Sequence, residues 1–209
     1  MNLLIFGATG PTGQLLVSQA LGQGHVVTAF ARDPSRLVPA PAPVRVVAGD
    51  ATRDLKKIDE AMQGQHAVIS ALGRRRSFRS DRLMERSLRA IVPAMERAGV
   101  RRLIVMSAFG VGDSRRDAPL IPGLMYRTLL RGIFKDKANA EQYLRQTRVE
   151  WTVVYPVLLT DGPMTGRYRT GEKLQLHGMP TISRADVAHF ILAELAAPAF
   201  VRKTVVISY

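Results

Sequence analysis

The chain has 209 residues, with 30 Lys and Arg against 17 Asp and Glu, a net charge of +13, 46% hydrophobic residues and no cysteine. That length suits one well-buried α/β domain and is short for two. The missing cysteines exclude disulfides, thiol nucleophiles and thiolate metal sites. His25, His66, His177 and His189 are too dispersed to form a metal pair, so no metal is expected. A charge this positive draws nucleotide phosphates, acidic substrates and nucleic acid alike, and does not choose among them.

The chain opens on the apolar run Leu3-Leu4-Ile5-Phe6, which reads as a first strand. No basic segment or cleavage site precedes it and no apolar run approaches a membrane span, so a cytoplasmic protein without a membrane partner is expected. Gly7-Ala-Thr9-Gly10-Pro11-Thr12-Gly13 follows directly and leads into a helical pattern. Glycines at this spacing between a strand and a helix form a phosphate cradle. Gly7 permits the tight turn, Gly10 lets bare backbone approach a pyrophosphate, and Gly13 lets the helix pack closely on the sheet. The helix start adds unpaired N–H groups and a positive dipole end.

Leu15, Leu16, Gln19 and Ala20 give the helical stripe, which ends at Gly22 or Gly24 before a second strand over 26–30. Asp33 stands before Pro34 as a cap, and Pro39-Ala-Pro41-Ala-Pro43 is an extended connector to a third strand over 44–48. A helix over about 54–62 and a strand over 67–70 come next. Met84, Leu88, Ile91 and Met95 repeat at helical spacing, which predicts a helix over about 81–98 with one buried face, a kink at Pro93 and an end at Gly99. A strand over 102–107 precedes a long loop over 109–123. Helical residues 136–147, a strand over 151–155, a helix over 186–195 and a strand over 204–208 complete the pattern. Strands alternating with helices predict a doubly wound, mainly parallel α/β sheet with helices on both faces, and ligands at the carboxyl ends of the strands. The whole of 1–209 is taken as one domain, with substrate-rim segments around 74–82, 109–135 and 160–180.

Where an NAD site usually presents an acid after the second strand, this chain has Ala31-Arg32-Asp33-Pro34-Ser35-Arg36. Arg32 can stack on an adenine and grip a 2′-phosphate, with Ser35 and Arg36 as further donors, which favours NADP(H) over NAD(H). Taken singly, both arginines also read as solvated surface charges. After the third strand, Gly49-Asp50-Ala51 puts a carboxylate where it can accept from an adenine amino group. After the fourth, Ala71-Leu72-Gly73 lets backbone pass close to a ribose.

These motifs together, with Met106-Ser-Ala108, Tyr155-Pro156 and Asp161-Gly-Pro-Met-Thr-Gly166, resemble the atypical short-chain dehydrogenase/reductase superfamily, and within it the biliverdin and flavin reductases and the NmrA-like proteins. The resemblance covers nearly the whole chain. It implies a Rossmann fold with NADPH extended across it: 2′-phosphate by Arg32, Ser35 and Arg36, pyrophosphate on residues 9–13, nicotinamide near Ser107 and the Pro156-Val157-Leu158 backbone. One departure stands out, because typical members carry a Tyr-x-x-x-Lys pair for proton transfer. Lys137 can take the lysine's place, yet Ile133 stands four residues before it, and Tyr126 is followed at that spacing by Leu130.

Ser107 and Lys137 are the candidate catalytic residues. Ser107 orients either the nicotinamide amide or a substrate carbonyl, and Lys137 contacts ribose or substrate. Arg74, Arg75, Arg76, Arg79 and Arg82 form a positive rim that steers an anionic substrate, while Phe109, Met125 and Tyr126 offer an apolar platform for a flat ring system. The expected partner is therefore a planar, anionic small-molecule acceptor, and the function a hydride transfer from NADPH to a flavin, a biliverdin-like tetrapyrrole or a quinone. The alternative is an NmrA-type NADP(H)-sensing regulator without catalysis. Specific nucleic-acid binding ranks below both, since no reading motif accompanies the arginines. The oligomeric state, monomer or dimer, is left open.

Overall fold

The computed structural model describes residues 1–37, 43–73, 82–111 and 131–209. Most of the proline connector, Arg74, Arg75, Arg76, Phe78, Arg79, Met125, Tyr126 and most of the 109–123 loop lie outside the described residues.

Eight strands form one sheet. Its first half is β1 (Asn2–Phe6), β2 (Val26–Ala31), β3 (Arg45–Ala48) and β4 (Ala67–Ser70); the second is β5 (Arg102–Met106), β6 (Glu150–Pro156), β8 (Arg169–Gly171) and β10 (Lys203–Ser208). Between them in the chain, β7 (Leu158–Thr160) and β9 (Thr181–Ser183) make a separate parallel pair. The spatial order is β3-β2-β1-β4-β5-β6-β10-β8. Every pairing is parallel except that of β8 with β10. Parallel strands need helices on both faces, and among the described residues the α-helices are α1 (Pro11–Gly22), α2 (Leu55–Met62), α3 (Leu83–Ala98), α4 (Arg131–Arg145) and α5 (Arg184–Ala196). Helices α1 and α5 pack together, as do α2 with α3 and α3 with α4. Leu3 to Phe6, Ala67 to Ile69 and Leu103 to Val105 are buried throughout, the continuous apolar pattern of strands covered on both sides.

The predicted elements match with two differences. Helix α4 starts at Arg131, ahead of position 136, and β7, β8 and β9 lie within 158–183, where no strand was expected. Each of these strands is three residues long, too short for a period-two signal. On α3 the four spaced residues Met84, Leu88, Ile91 and Met95 are buried, the helix runs through Pro93 to Ala98, and Gly99 ends it at φ +70°. On α1 the buried face is Thr12, Gly13, Leu16, Val17 and Ala20, so Val17 joins the stripe while Leu15 and Gln19 are only half-buried.

The cause is Gly13. A Cβ there would collide with the carbonyl oxygen of Gly7 and come within 2.9 Å of the Ala8 Cα, so the helix seats backbone on backbone at this point and its rotation is fixed. Gly7 sits at φ +79°, and a Cβ on it would lie 2.7 Å from the Ala71 carbonyl, so the loops after β1 and β4 also touch through backbone. Replacing Gly13 by Ala is expected to cost about 2 kcal/mol or more, because backbone must shift. Gly22→Ala at the far end of the same helix, with nothing within 4 Å of the added methyl, should be neutral or stabilising by up to about 1 kcal/mol. Urea unfolding of the two variants checks the contrast; equal losses would remove the seating argument.

Candidate functional site

The carboxyl ends of the parallel strands share one edge, and backbone hydrogen bonds continue past them. Gly49 N–H donates to the Ala31 carbonyl at 3.0 Å, Ala71 to Phe6 at 2.9 Å, Ser107 to Val154 at 2.8 Å and Phe109 to Pro156 at 3.0 Å. The sequence motifs after β1 to β6 are therefore knitted into one ledge. The direction of crossing reverses between β1 and β4, where open α/β sheets bind ligands.

At that point the Gly7 turn closes with Gly10 N–H on the Gly7 carbonyl at 3.0 Å. Gly10 caps α1 in an extended conformation with no side-chain bond to the helix, Pro11 follows as the first helical residue, and the first turn carries no acid. The initial N–H groups of a helix have no acceptor of their own, so an uncompensated positive end faces the ledge. Thr9, Gly10 and Pro11 form its half-exposed lip, and Thr12 and Gly13 lie buried beneath. The residues present thus fit a pyrophosphate.

Beyond β2, Arg32, Asp33, Ser35 and Arg36 are all exposed. Asp33 caps a short 3₁₀ turn over Pro34–Arg36, its Oδ1 accepting from the Ser35 N–H at 3.2 Å and the Ser35 hydroxyl at 2.6 Å. The carboxylate is engaged locally, and so is the serine proton, which leaves the two arginines as the cations of this segment. Gln14, which the sequence reading passed over, joins the turn to the glycine loop by donating to the carbonyls of Arg36 at 3.1 Å and Thr9 at 3.3 Å.

Asp50 is bound in its own turn: Oδ1 accepts from the Thr52 N–H at 2.9 Å and hydroxyl at 2.7 Å, and Oδ2 lies 3.6 Å from Arg53. Partial burial opposes its charge, but the Thr52 bonds and the Arg53 and Arg32 cations outweigh it and hold the carboxyl below its ordinary range. Ala51 and Ala71 are buried beside the ledge, Leu72 is half-buried and Gly73 is exposed.

At the other end of the ledge, Ser107 is buried and its hydroxyl donates to Glu141 Oε1 at 2.7 Å. Tyr155, on β6, donates to Glu141 Oε2 at 2.5 Å. Burial pushes the Glu141 carboxyl up, against these two bonds and the Lys137 and Arg145 charges. Lys137 lies one helical turn before Glu141, and its own burial lowers it to about 8, although Glu141 and Asp136 pull the other way. Asp136 reaches across to α3, accepting from the N–H groups of Met84 at 3.0 Å and Glu85 at 2.9 Å. Glu85, held to about 2 by Arg82 foremost, accepts from Arg82, Arg89 and Asn139, so α3 and α4 are pinned as a unit.

A buried tyrosine on another element, Tyr155, is thus directed at Glu141, one helical turn along α4 from Lys137. Neither Glu141 nor Tyr155 was singled out in the sequence as an acid–base group. The Lys137-x-x-x-Glu141 spacing was the available signal, and Tyr155 reads from sequence as one more apolar strand residue.

Below Ser107, Pro156 and Val157 are buried while Leu158 is 56% exposed. The Leu158 N–H donates to the Pro180 carbonyl, next to Met179, which is 82% exposed. Phe109 is half-buried against the core. Asp186, fully buried at the start of α5, fixes this side: it accepts from Thr165 and Gly166 N–H at 2.8 Å, from Tyr209 at 2.7 Å and from the Ser183 hydroxyl at 3.1 Å. The Ser183-x-x-Asp186 box was its signal in the sequence. Among the described residues no group of three or more His, Asp or Glu is placed to hold a metal, and no helix is long and apolar enough to cross a membrane.

Residues 7–198 match the model of a family described as NAD(P)H-binding. The chain belongs to that family. It superposes on ChuY, an anaerobilin reductase from Escherichia coli O157:H7, with a TM-score of 0.80 and 25% identity over 99% of this chain and 96% of that one. A short-chain dehydrogenase/reductase from Veillonella parvula, solved in complex with NADP, gives a TM-score of 0.83 at 21% identity over 100% and 94% of the two chains. A 3-diazoavenalumate denitrifying reductase from a Streptomyces species is 35% identical over 57% of this chain and 44% of its own length. The fold is the Rossmann type found in NAD(P)H-binding oxidoreductases, as the resemblance implied.

Because Lys137 is half-buried and held near 8, its amine should react with a water-soluble acylating reagent along a pH curve with a midpoint near 8. The measurement is competitive labelling read by peptide mass; a midpoint near the ordinary lysine value would show that the burial cost is relieved in solution.

Proposed function

We propose that the protein is an NADPH-dependent reductase that delivers hydride to a planar, conjugated and anionic acceptor, such as a flavin, a biliverdin-like tetrapyrrole or a quinone. The observation that carries the reading is the pairing of an open glycine cradle with Arg32 and Arg36 exposed beyond β2 while Asp33 is withdrawn into its cap. An NAD site wants a free carboxylate for the ribose diol; here the carboxylate is occupied and two guanidiniums stand ready for a phosphate. When bound, the nicotinamide supplies the hydride. The chain's own part is to seat the pyrophosphate on residues 9–13, to clamp the 2′-phosphate, and to hold Ser107, Lys137 and the 156–158 backbone beside the reacting ring. Exposed Leu158 and Met179 beside that backbone suit a flat apolar face. The reductases among its relatives favour the same chemistry. A sensor of the NmrA type, binding the nucleotide without turnover, draws on the Ser107 and Tyr155 hydroxyls both being engaged by Glu141.

Arg32→Ala combined with Arg36→Ala should weaken NADPH about a hundredfold, the loss of two charge-assisted contacts, and NADH less than about threefold, by fluorescence titration. Equal losses for the two would remove the 2′-phosphate assignment. Wild-type protein should then oxidise NADPH, followed by absorbance, with at least one of FMN, biliverdin or a soluble quinone; tight NADPH binding without turnover on any of them would support the sensor.

A further inference from the structure

A hydroxyl has one proton and two lone pairs, so what it offers a ligand depends on where that proton already points. The Ser107 proton points at Glu141, 2.7 Å away, and the other carboxylate oxygen is taken by the Tyr155 hydroxyl at 2.5 Å. Serine, glutamate and tyrosine are 4%, 3% and 1% exposed. An ionised carboxylate has no proton to return, so both hydroxyls are held in one direction, at charge-assisted lengths. Burial raises the Glu141 carboxyl, and the two hydroxyl bonds together with the Lys137 and Arg145 charges, one turn to either side on α4, work against that rise. The Ser107 N–H is closed onto Val154. What Ser107 has left to give is its hydroxyl lone pairs.

We propose that Glu141, braced by Tyr155, is a positioning residue that fixes the Ser107 hydroxyl as an acceptor for the carboxamide N–H of a bound nicotinamide. The proposal rests on the reading above that the nicotinamide reaches Ser107. It decides between the two roles the sequence left open: a substrate carbonyl needs a donor, which Ser107 is not, whereas a carboxamide amine needs an acceptor, which it is. Ser107 then serves the coenzyme and not the acceptor, and the proton for the reduced product comes from another group or from solvent.

The test is coenzyme discrimination, read as dissociation constants by calorimetry and so independent of turnover. NADP⁺ carries the carboxamide amine, its thionicotinamide analogue keeps it, and its 3-acetylpyridine analogue has a methyl ketone instead. Wild-type protein should bind the first two alike and the third about tenfold more weakly, one neutral hydrogen bond. In Ser107→Ala the ratio should fall toward one. In Glu141→Gln it should fall likewise, because the amide can present an N–H that turns the serine proton outward.

Equal wild-type affinity for NADP⁺ and the acetylpyridine analogue overturns the proposal and leaves the NADPH reading standing; no binding of any of the three overturns both. Discrimination lost in Ser107→Ala but kept in Glu141→Gln overturns the role of Glu141. Should Glu141→Gln fail to fold, Tyr155→Phe takes its place: it keeps the carboxylate, removes the brace, and should lower the ratio at least about threefold, an unchanged ratio counting against the brace.

Discussion

Backbone-to-backbone contact at the first turn governs the architecture. With no Cβ at Gly13 the helix after β1 can rest on the Gly7 carbonyl, and with none at Gly7 the turn can rest on the chain leaving β4. Those two contacts set the rotation of α1, and with it which of its residues face the sheet. They also point the start of α1 at the place where the crossing direction reverses, so one steric condition provides both a packed core and an open positive helix end.

Around that cradle the charged groups divide by what already holds them. Asp33, Asp50 and Asp54 are bound into turns by neighbouring N–H and hydroxyl groups, with Asp54 accepting from the Asp50 N–H at 2.7 Å. Arg32 and Arg36 remain exposed in a protein already carrying +13. A phosphate entering this end of the ledge meets cations whose acidic neighbours are held in local turns, which is the electrostatic basis for reading the site as one for a phosphorylated ribose.

The opposite end is organised by buried carboxylates. Glu141 gathers hydroxyls from β5's end and from β6, Asp136 caps α3 from α4, and Asp186 draws together the 165–166 backbone, Ser183 and Tyr209. Each joins elements far apart in the chain, and each is matched by donors, as a charge inside a protein must be. Through them α3, α4, β6 and the segments around Thr165 and Ser183 are tied to one another by hydrogen bonds.

Most of the α/β pattern was legible in the sequence because local chemistry dictated it: glycines where only glycine fits, Asp33-Pro34 as a cap, Gly99 as a helix end, and apolar runs in strands buried on both faces. The glycine cradle and the arginine pair could be read for the same reason, since their residues are neighbours in the chain. Tertiary structure alone decided that Val17 is buried more deeply than Leu15, that the 156–183 stretch contains three short strands, and that Tyr155 and Glu141 meet over Ser107. The last of these depends on contacts between residues 14 and 34 positions apart, which join α4 to β6 and to the end of β5. No local periodicity records such a distance, so a tyrosine within an apolar strand and a glutamate on a charged helix gave no sign of each other until the fold joined them.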